Sequence, residues 1–168
     1  MRAARAALAR PPAIGVPPEL ARMLSRGMTV ASYVPVRGEA DPAPLARAAV
    51  DAGCVIALPH VVDRDTPLRF LAWDTEAALI AGPFGLHQPA EAADELAPDL
   101  ILTPLVAFDR AGNRLGQGAG HYDRAFARFP DAMRIGVAYA LQEVPALPAD
   151  PWDVPLHAIV TEQEWITP

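Results

Sequence analysis

Residues 29–60 read TVASYVPVRGEADPAPLARAAVDAGCVIALPH, and their punctuation sets the architecture. TVASYVPV, residues 29–36, is an apolar, β-branched run of the kind that forms a buried strand, ending at Pro35. Asp41 is placed to cap a helix and Pro42 to open its first turn. Leu45, Ala48, Ala49 and Ala52 fall on one face, and Gly53 closes it. CVIALPH, residues 54–60, then returns as a second buried strand. Strand, helix and strand within about thirty residues predict a right-handed parallel crossover.

The alternation extends outward in both directions. Upstream, the alanine-rich MRAARAALAR favours a helix that Pro11 and Pro12 stop, and PPELARMLSRG, residues 17–27, reads as a short helix capped by Gly27. Downstream, LRFLAW (68–73), DLILTPLVAF (99–108) and MRIGVAYA (133–140) read as strands, the second most strongly, and LHAIVTEQEWI (156–166) as a last strand and tail. HYDRAFARF, residues 121–129, sets Tyr122, Phe126 and Phe129 on one helical face. The expectation is a single α/β domain over residues 1–168 with a mostly parallel sheet and no internal repeat.

Composition narrows the function. At 168 residues, 52% hydrophobic and 20% charged, the chain is globular in kind. Its formal charge of −6 disfavours a nucleic-acid binder, which needs a basic face. Any anionic substrate must therefore meet a local cluster of arginine. The lone Cys54 excludes an internal disulfide and a thiolate zinc cluster, fits a reducing cytoplasm, and in its apolar strand is expected to be buried and inert. No apolar run approaches the ~20 residues of a membrane span. His60, His87, His121 and His157 show no metal-ligand spacing. Trp73, Trp152 and Trp165 are read as packing residues, with Trp152 near enough to Asp153 to border a pocket.

The chemistry concentrates in GNRLGQGAGHYDR, residues 112–124. Glycines 116, 118 and 120 let successive backbone N–H groups converge on an anion, and the helix that follows points its positive end at the same spot. Arg114 can add a two-pronged contact to phosphate oxygens. Asp123, one turn into the helix, fits beside phosphate only with a divalent cation between them. A polyphosphate with magnesium accounts for these residue types together. The spacing matches neither a Walker A loop, which ends in Gly-Lys-Ser/Thr, nor a Rossmann fingerprint, whose last glycine is here His121. A plain turn, with Asp123 serving only the helix dipole, accounts for the same residues.

Residues 98–124, PDLILTPLVAFDRAGNRLGQGAGHYDR, resemble the long motif of the 5-formyltetrahydrofolate cyclo-ligase family, and three shorter segments follow its order. They are YVPVRGEAD (33–41), PFGLHQP (83–89) and LPADPWDVPLHAIVTE (147–162). The resemblance implies a three-layer Rossmann-like, mostly parallel sheet flanked by helices, of the CoA-transferase-like kind. It further implies an enzyme that uses ATP and Mg2+ to convert 5-formyltetrahydrofolate into 5,10-methenyltetrahydrofolate, releasing ADP and phosphate. ATP phosphorylates the formyl oxygen and a neighbouring folate nitrogen closes the ring, so positioning and charge stabilisation dominate.

Residue roles carry over by position. Arg114 and Tyr122 take the catalytic places. Arg114, Leu115, Gly116, Gln117, Gly118, Ala119, Gly120, His121 and Tyr122 cradle ATP, and Asp123 with Asp153 holds magnesium. Val34, Glu39, Phe84, His121 and Tyr122 meet the folate. The implied partner is this small molecule alone, in a cytoplasmic monomer or weak homodimer, without nucleic acid or membrane. Without the resemblance, Asp153 is equally a turn former between prolines, Glu39 a solvated loop residue and Phe84 a core anchor.

The chain departs from the pattern at several points. MRAARAALAR starts after the family's basic K-x-x-x-R helix, with Arg2 or Arg5 as substitutes. His121 replaces the first of two tyrosines, Gln117 and Ala119 stand at positions often held by other residues, His87-Gln88 replaces Pro-Glu, and His157 replaces Asp. These departures keep open a weakened homologue that binds reduced folate without turnover, and a relative acting on another small phosphorylated substrate.

Overall fold

The computed structural model describes Arg5, residues 11–148, Asp150 and residues 152–168. Most of the alanine-rich N-terminal helix read from the sequence therefore lies outside the described residues. The opening crossover forms as the sequence requires: β1 (Thr29–Ala31), helix α2 (Ala43–Asp51), then β2 (Val55–His60), with β1 and β2 parallel. Asp41 Oδ1 accepts the Ala43 N–H at 2.9 Å, and Gly53 turns the chain with φ +82°. The inward face differs slightly from the expected one. Leu45, Ala46 and Ala49 are buried, while Ala48 and Ala52 stay half-exposed.

A second crossover runs from β6 (Leu100–Pro104) through helix α3 (His121–Arg128) to β9 (Met133–Val137), and β10 (Ala158–Val160) extends the parallel set. The seven-stranded sheet has the order β11 (Trp165–Ile166), β10, β9, β6, β1, β2 and β3 (Arg69–Ala72). Its two edges, β3 and β11, are antiparallel. Short hairpins pair β4 (Ile80–Ala81) with β5 (His87–Gln88) and β7 (Ala107–Phe108) with β8 (Arg114–Leu115).

Alternate residues of the central strands feed two cores, because successive side chains of a strand face opposite ways. On one face Leu100, Leu102 and Val30 pack with Leu45, Ala49 and Leu20, the last from helix α1 (Pro18–Met23). On the other, Ile101 and Ala57 pack with Ala125 and Phe126 of α3. This is the expected layered α/β fold.

Two strand expectations need correction. Residues 29–36 form a strand only to Ala31, and residues 99–108 break after Pro104 into β6 and β7. The break has a physical substitute for the lost ladder. Gln142, fully buried, donates through Nε2 to the carbonyls of Leu105 and Val106 at 2.8 and 3.1 Å. In the closing segment the last strand is β10, and the tail turns back to pair with it as β11.

Candidate active site

From the centre of the sheet, the chain steps from β1 to β2 on one side and from β6 to β9 on the other. The strand order reverses between β1 and β6, and in open α/β sheets the crevice beyond the carboxyl ends at such a point binds ligands. Val34 and Glu39 lie on the loop after β1 and residues 114–123 on the connection after β6, whereas Phe84 lies between β4 and β5 and Asp153 ahead of β10.

The loop after β1 carries Val34, half-buried, and Glu39, 8% exposed. Glu39 is therefore not a solvated loop residue. Its Oε2 accepts the Val36 N–H at 3.1 Å and its Oε1 accepts from Gln117 Nε2 at 3.2 Å. Burial pushes its carboxyl above the usual range, against the pull of these two donors and of Arg5 and Arg37. Tyr33 stands on the same loop with its hydroxyl donating to the Ala40 carbonyl at 2.5 Å. Burial raises the Tyr33 hydroxyl, and the Glu39 and Tyr122 charges raise it further. Tyr122 responds in the same way, to burial and then to Glu39.

Arg5, the one described residue of the N-terminal ten, reaches this crevice. Its side chain is 3% exposed and bridges the two loops, with Nη1 donating to Leu105 O at 3.1 Å and Nη2 to Arg37 O at 3.0 Å. Among the described residues, Arg37 and Phe84 are the non-glycine residues with positive φ, at 52° and 60°. Such backbone costs about 1–3 kcal/mol and collects at functional sites. Phe84 sits at the tip between β4 and β5, 57% exposed, and so is not a core anchor. Its hairpin is held by Gln88, which accepts the Val61 N–H at 3.0 Å and donates to Val61 O at 3.2 Å. An amide can do both, whereas a carboxylate could only accept.

The glycine loop meets the crevice from the other side. Gly116, Gln117 and Gly118 are exposed along with Leu115, Gly118 has φ +91°, and Gly120, φ +64°, caps α3. Gln117, expected at the nucleotide, ties this loop to Glu39 through its side chain. His121 opens the helix. Desolvation and the neighbouring Arg124 lower its pKa, so the ring stays neutral. Its Nδ1 lies 3.1 Å from Arg124 Nη2 and accepts, which leaves the proton on Nε2, a buried donor with no partner among the described residues.

Arg114 is not the free fork that the sequence suggested. One amino group pairs with Asp123 Oδ1, the other donates to Val154 O at 2.6 Å, and the guanidinium lies 4.5 Å over the Phe126 ring. It thus links Asp123 to the residue beside Asp153. Asp153 itself is exposed and its Oδ2 accepts the Asp150 N–H at 2.8 Å, the turn role that its prolines implied. Among the described residues no group of three or more His, Cys, Asp or Glu could hold a metal. Asp123 and Asp153 each keep one carboxylate oxygen without a hydrogen bond among those residues, and magnesium takes such oxygens one or two at a time with several waters.

Other expectations resolve plainly. Cys54 is half-buried, not fully enclosed, with Sγ donating to Ser25 O at 3.3 Å, and burial raises its thiol. Trp73 and Trp165 pack against the core, but Trp152 is 70% exposed. The sequence reading missed Arg64, Arg124 and Arg134. Arg124 lay inside the quoted motif and could have been found there, whereas Arg64 and Arg134 carried no local signal.

Comparison with known proteins gives the family and the fold. The family model described as the 5-formyltetrahydrofolate cyclo-ligase family matches residues 18–162. The 5-formyltetrahydrofolate cyclo-ligase of Escherichia coli is 35% identical over 148 residues, covering 82% of this chain and 81% of that protein. The cyclo-ligase of Mycolicibacterium smegmatis is 36% identical over 152 residues, covering 83% and 76%. Among solved structures, the 5,10-methenyltetrahydrofolate synthetase of Aquifex aeolicus superposes with a TM-score of 0.70 at 33% identity, covering 89% of this chain and 74% of that one. The synthetase of Mycoplasma pneumoniae, at 24% identity and a TM-score of 0.64, covers 86% and 80% and shares the fold.

Proposed function

The chain belongs to the 5-formyltetrahydrofolate cyclo-ligase family, and from that premise we propose that it closes 5-formyltetrahydrofolate to 5,10-methenyltetrahydrofolate with ATP and magnesium. The γ-phosphoryl group moves from ATP to the formyl oxygen, and ADP leaves. The adjacent folate nitrogen then bonds to the formyl carbon and loses its proton, and the carbon–oxygen bond breaks to release phosphate. The protein's task is to hold both molecules in line and to stabilise charge.

Main-chain N–H groups of residues 116–121, with the head of α3, take the triphosphate. Asp123 and Asp153 hold magnesium, which when bound neutralises charge on the phosphate oxygens. Arg114 orients Asp123 and serves phosphate only if the carboxylate is drawn to the metal. Glu39 meets the polar edge of the folate ring, Tyr122 and Val34 border it, and exposed Phe84 offers a face for stacking. The observation that carries this reading is the Gln117–Glu39 hydrogen bond, which joins the glycine loop to the buried carboxyl across the crevice.

The test is the growth of methenyl absorbance on mixing purified protein with 5-formyltetrahydrofolate. The reading requires growth with ATP and magnesium and none without ATP. A second reading, folate binding without turnover, draws on the occupied fork of Arg114; folate binding with no absorbance growth under any nucleotide would establish it. No helix among the described residues is long and apolar enough to cross a membrane, and with a single cysteine and a reduced-folate substrate we place the protein in the cytoplasm as a monomer or weak homodimer.

A further inference from the structure

The carbonyls of the glycine loop are held from one side. Arg64, an exposed residue of the β2–β3 connection, donates through Nη2 to Gly118 O at 2.8 Å. Arg124 Nη1 donates to Ala119 O at 3.0 Å, and the Arg124 main-chain N–H donates to Gly120 O at 3.1 Å. The two arginines are themselves joined, since Arg124 Nη2 donates to Arg64 O at 2.9 Å. Three successive carbonyls are therefore engaged by one two-residue clamp and the main chain of the helix that carries Arg124.

No cis peptide bond occurs among the described residues. In a trans peptide the C=O and the following N–H point in opposite directions. Drawing the carbonyls of Gly118, Ala119 and Gly120 to their arginine partners turns the N–H groups of Ala119, Gly120 and His121 away from them. Left-handed φ at Gly118 and Gly120 flanks Ala119, the alternation that gathers N–H groups into an anion-binding concavity.

We propose that Arg64, working with Arg124, is a positioning residue for the ATP loop: it pins the loop's carbonyls so that the amides are preorganised toward the triphosphate. This role rests on the ATP reading above. Arg64 lies outside the glycine motif and need not touch the nucleotide. It acts on the loop by orienting dipoles rather than by adding a charge.

Arg64→Ala is the test, read by calorimetric titration of magnesium-ATP, by separate titration of 5-formyltetrahydrofolate, and by amide NMR relaxation of the nucleotide-free loop. The ATP dissociation constant should rise about five- to tenfold, the effect of roughly one net hydrogen bond lost. Folate affinity should hold, Tm should barely move because Arg64 is exposed, and amides 118–121 should become mobile before any nucleotide is added. Arg64→Lys, which restores one donor, should recover part of the loss. Unchanged ATP affinity or an equally rigid free loop in Arg64→Ala overturns the positioning role alone. Wild-type protein that fails to bind magnesium-ATP overturns the ATP reading and this role with it.

Discussion

The two sides of the crevice are made of different material. The nucleotide side is main chain: glycines with left-handed φ, a helix head, and carbonyls drawn aside by Arg64 and Arg124. The folate side is side chain: Glu39 buried among Val36, Gln117 and Tyr122, with Phe84 extended from a separate hairpin. A phosphate tail is recognised by dipoles that any backbone supplies once it is bent correctly, whereas a heterocycle needs a particular carboxyl and a particular ring face. Gln117 joins the two.

The difference can be broken first at the metal acid. Asp123→Ala should reduce kcat about a hundredfold or more, the scale of removing one electrostatic stabiliser of transition-state charge, and should flatten the magnesium dependence of the rate. Its folate KM should stay within about twofold, because Asp123 serves the other side of the crevice. A magnesium titration at fixed ATP measures it, and an undiminished kcat would remove Asp123 from the metal's ligands.

Glu39→Gln attacks the folate side. Loss of a charge-assisted contact should raise the folate KM about tenfold or more, with ATP affinity preserved. Stability should move the other way. A carboxyl whose folded pKa lies above its ordinary 4.5 contributes stability that is lost as pH rises from about 4.5 through the raised value. Near neutral pH the ionised group is thus a net strain on the free protein, and the variant's Tm should equal or exceed the wild-type value.

Phe84→Gly sharpens the same contrast on a smaller scale. Removing the stacking face should raise the folate KM about fivefold, near the low end for an aromatic platform. Glycine also accepts φ +60° without strain, so thermal stability should rise by about 1 kcal/mol or less. A lower Tm would show that the ring packs on the protein instead of waiting for a ligand.

The smallest effect is expected at His157, on the segment that carries Asp153. Its Nδ1 accepts the Arg134 N–H at 3.1 Å while its Nε2 faces Arg134 Nη2 at 2.7 Å. A neutral imidazole has one acceptor nitrogen, so both contacts cannot be good hydrogen bonds. Desolvation and then Arg134 lower its pKa from 6.5. The unfolded chain therefore binds the proton more readily, and this contribution to stability is lost as pH falls through 6.5 toward the folded value. Aspartate could accept from both donors, so His157→Asp should add about 1 kcal/mol and reduce the loss of Tm between neutral pH and the lowered histidine pKa.

Much of this was legible in the residues themselves. Pro42 and Gly53 bracket a helix, and alternating apolar runs announce a sheet, because those signals are local. The glycine loop was legible for the same reason: its function is backbone geometry, and glycine spacing records backbone geometry directly. The break after Pro104 was not, since the groups that replace the ladder come from Gln142, far along the chain. Nor was the pairing of Gln117 with Glu39, or the clamp from Arg64, because each spans more than fifty residues. Arg114 reads from sequence as a phosphate ligand, yet in the fold its nearest anion is Asp123.

The central claim is that the loop amides, and not a cluster of side chains, receive the triphosphate. Amide NMR of the folate-free protein titrated with magnesium-ATP tests it most directly. The largest shifts should fall on the amides of residues 116–121, with the side-chain amide of Gln117 following and residues around Phe84 unmoved. Saturable binding that leaves residues 116–121 unshifted while amides elsewhere respond would contradict it.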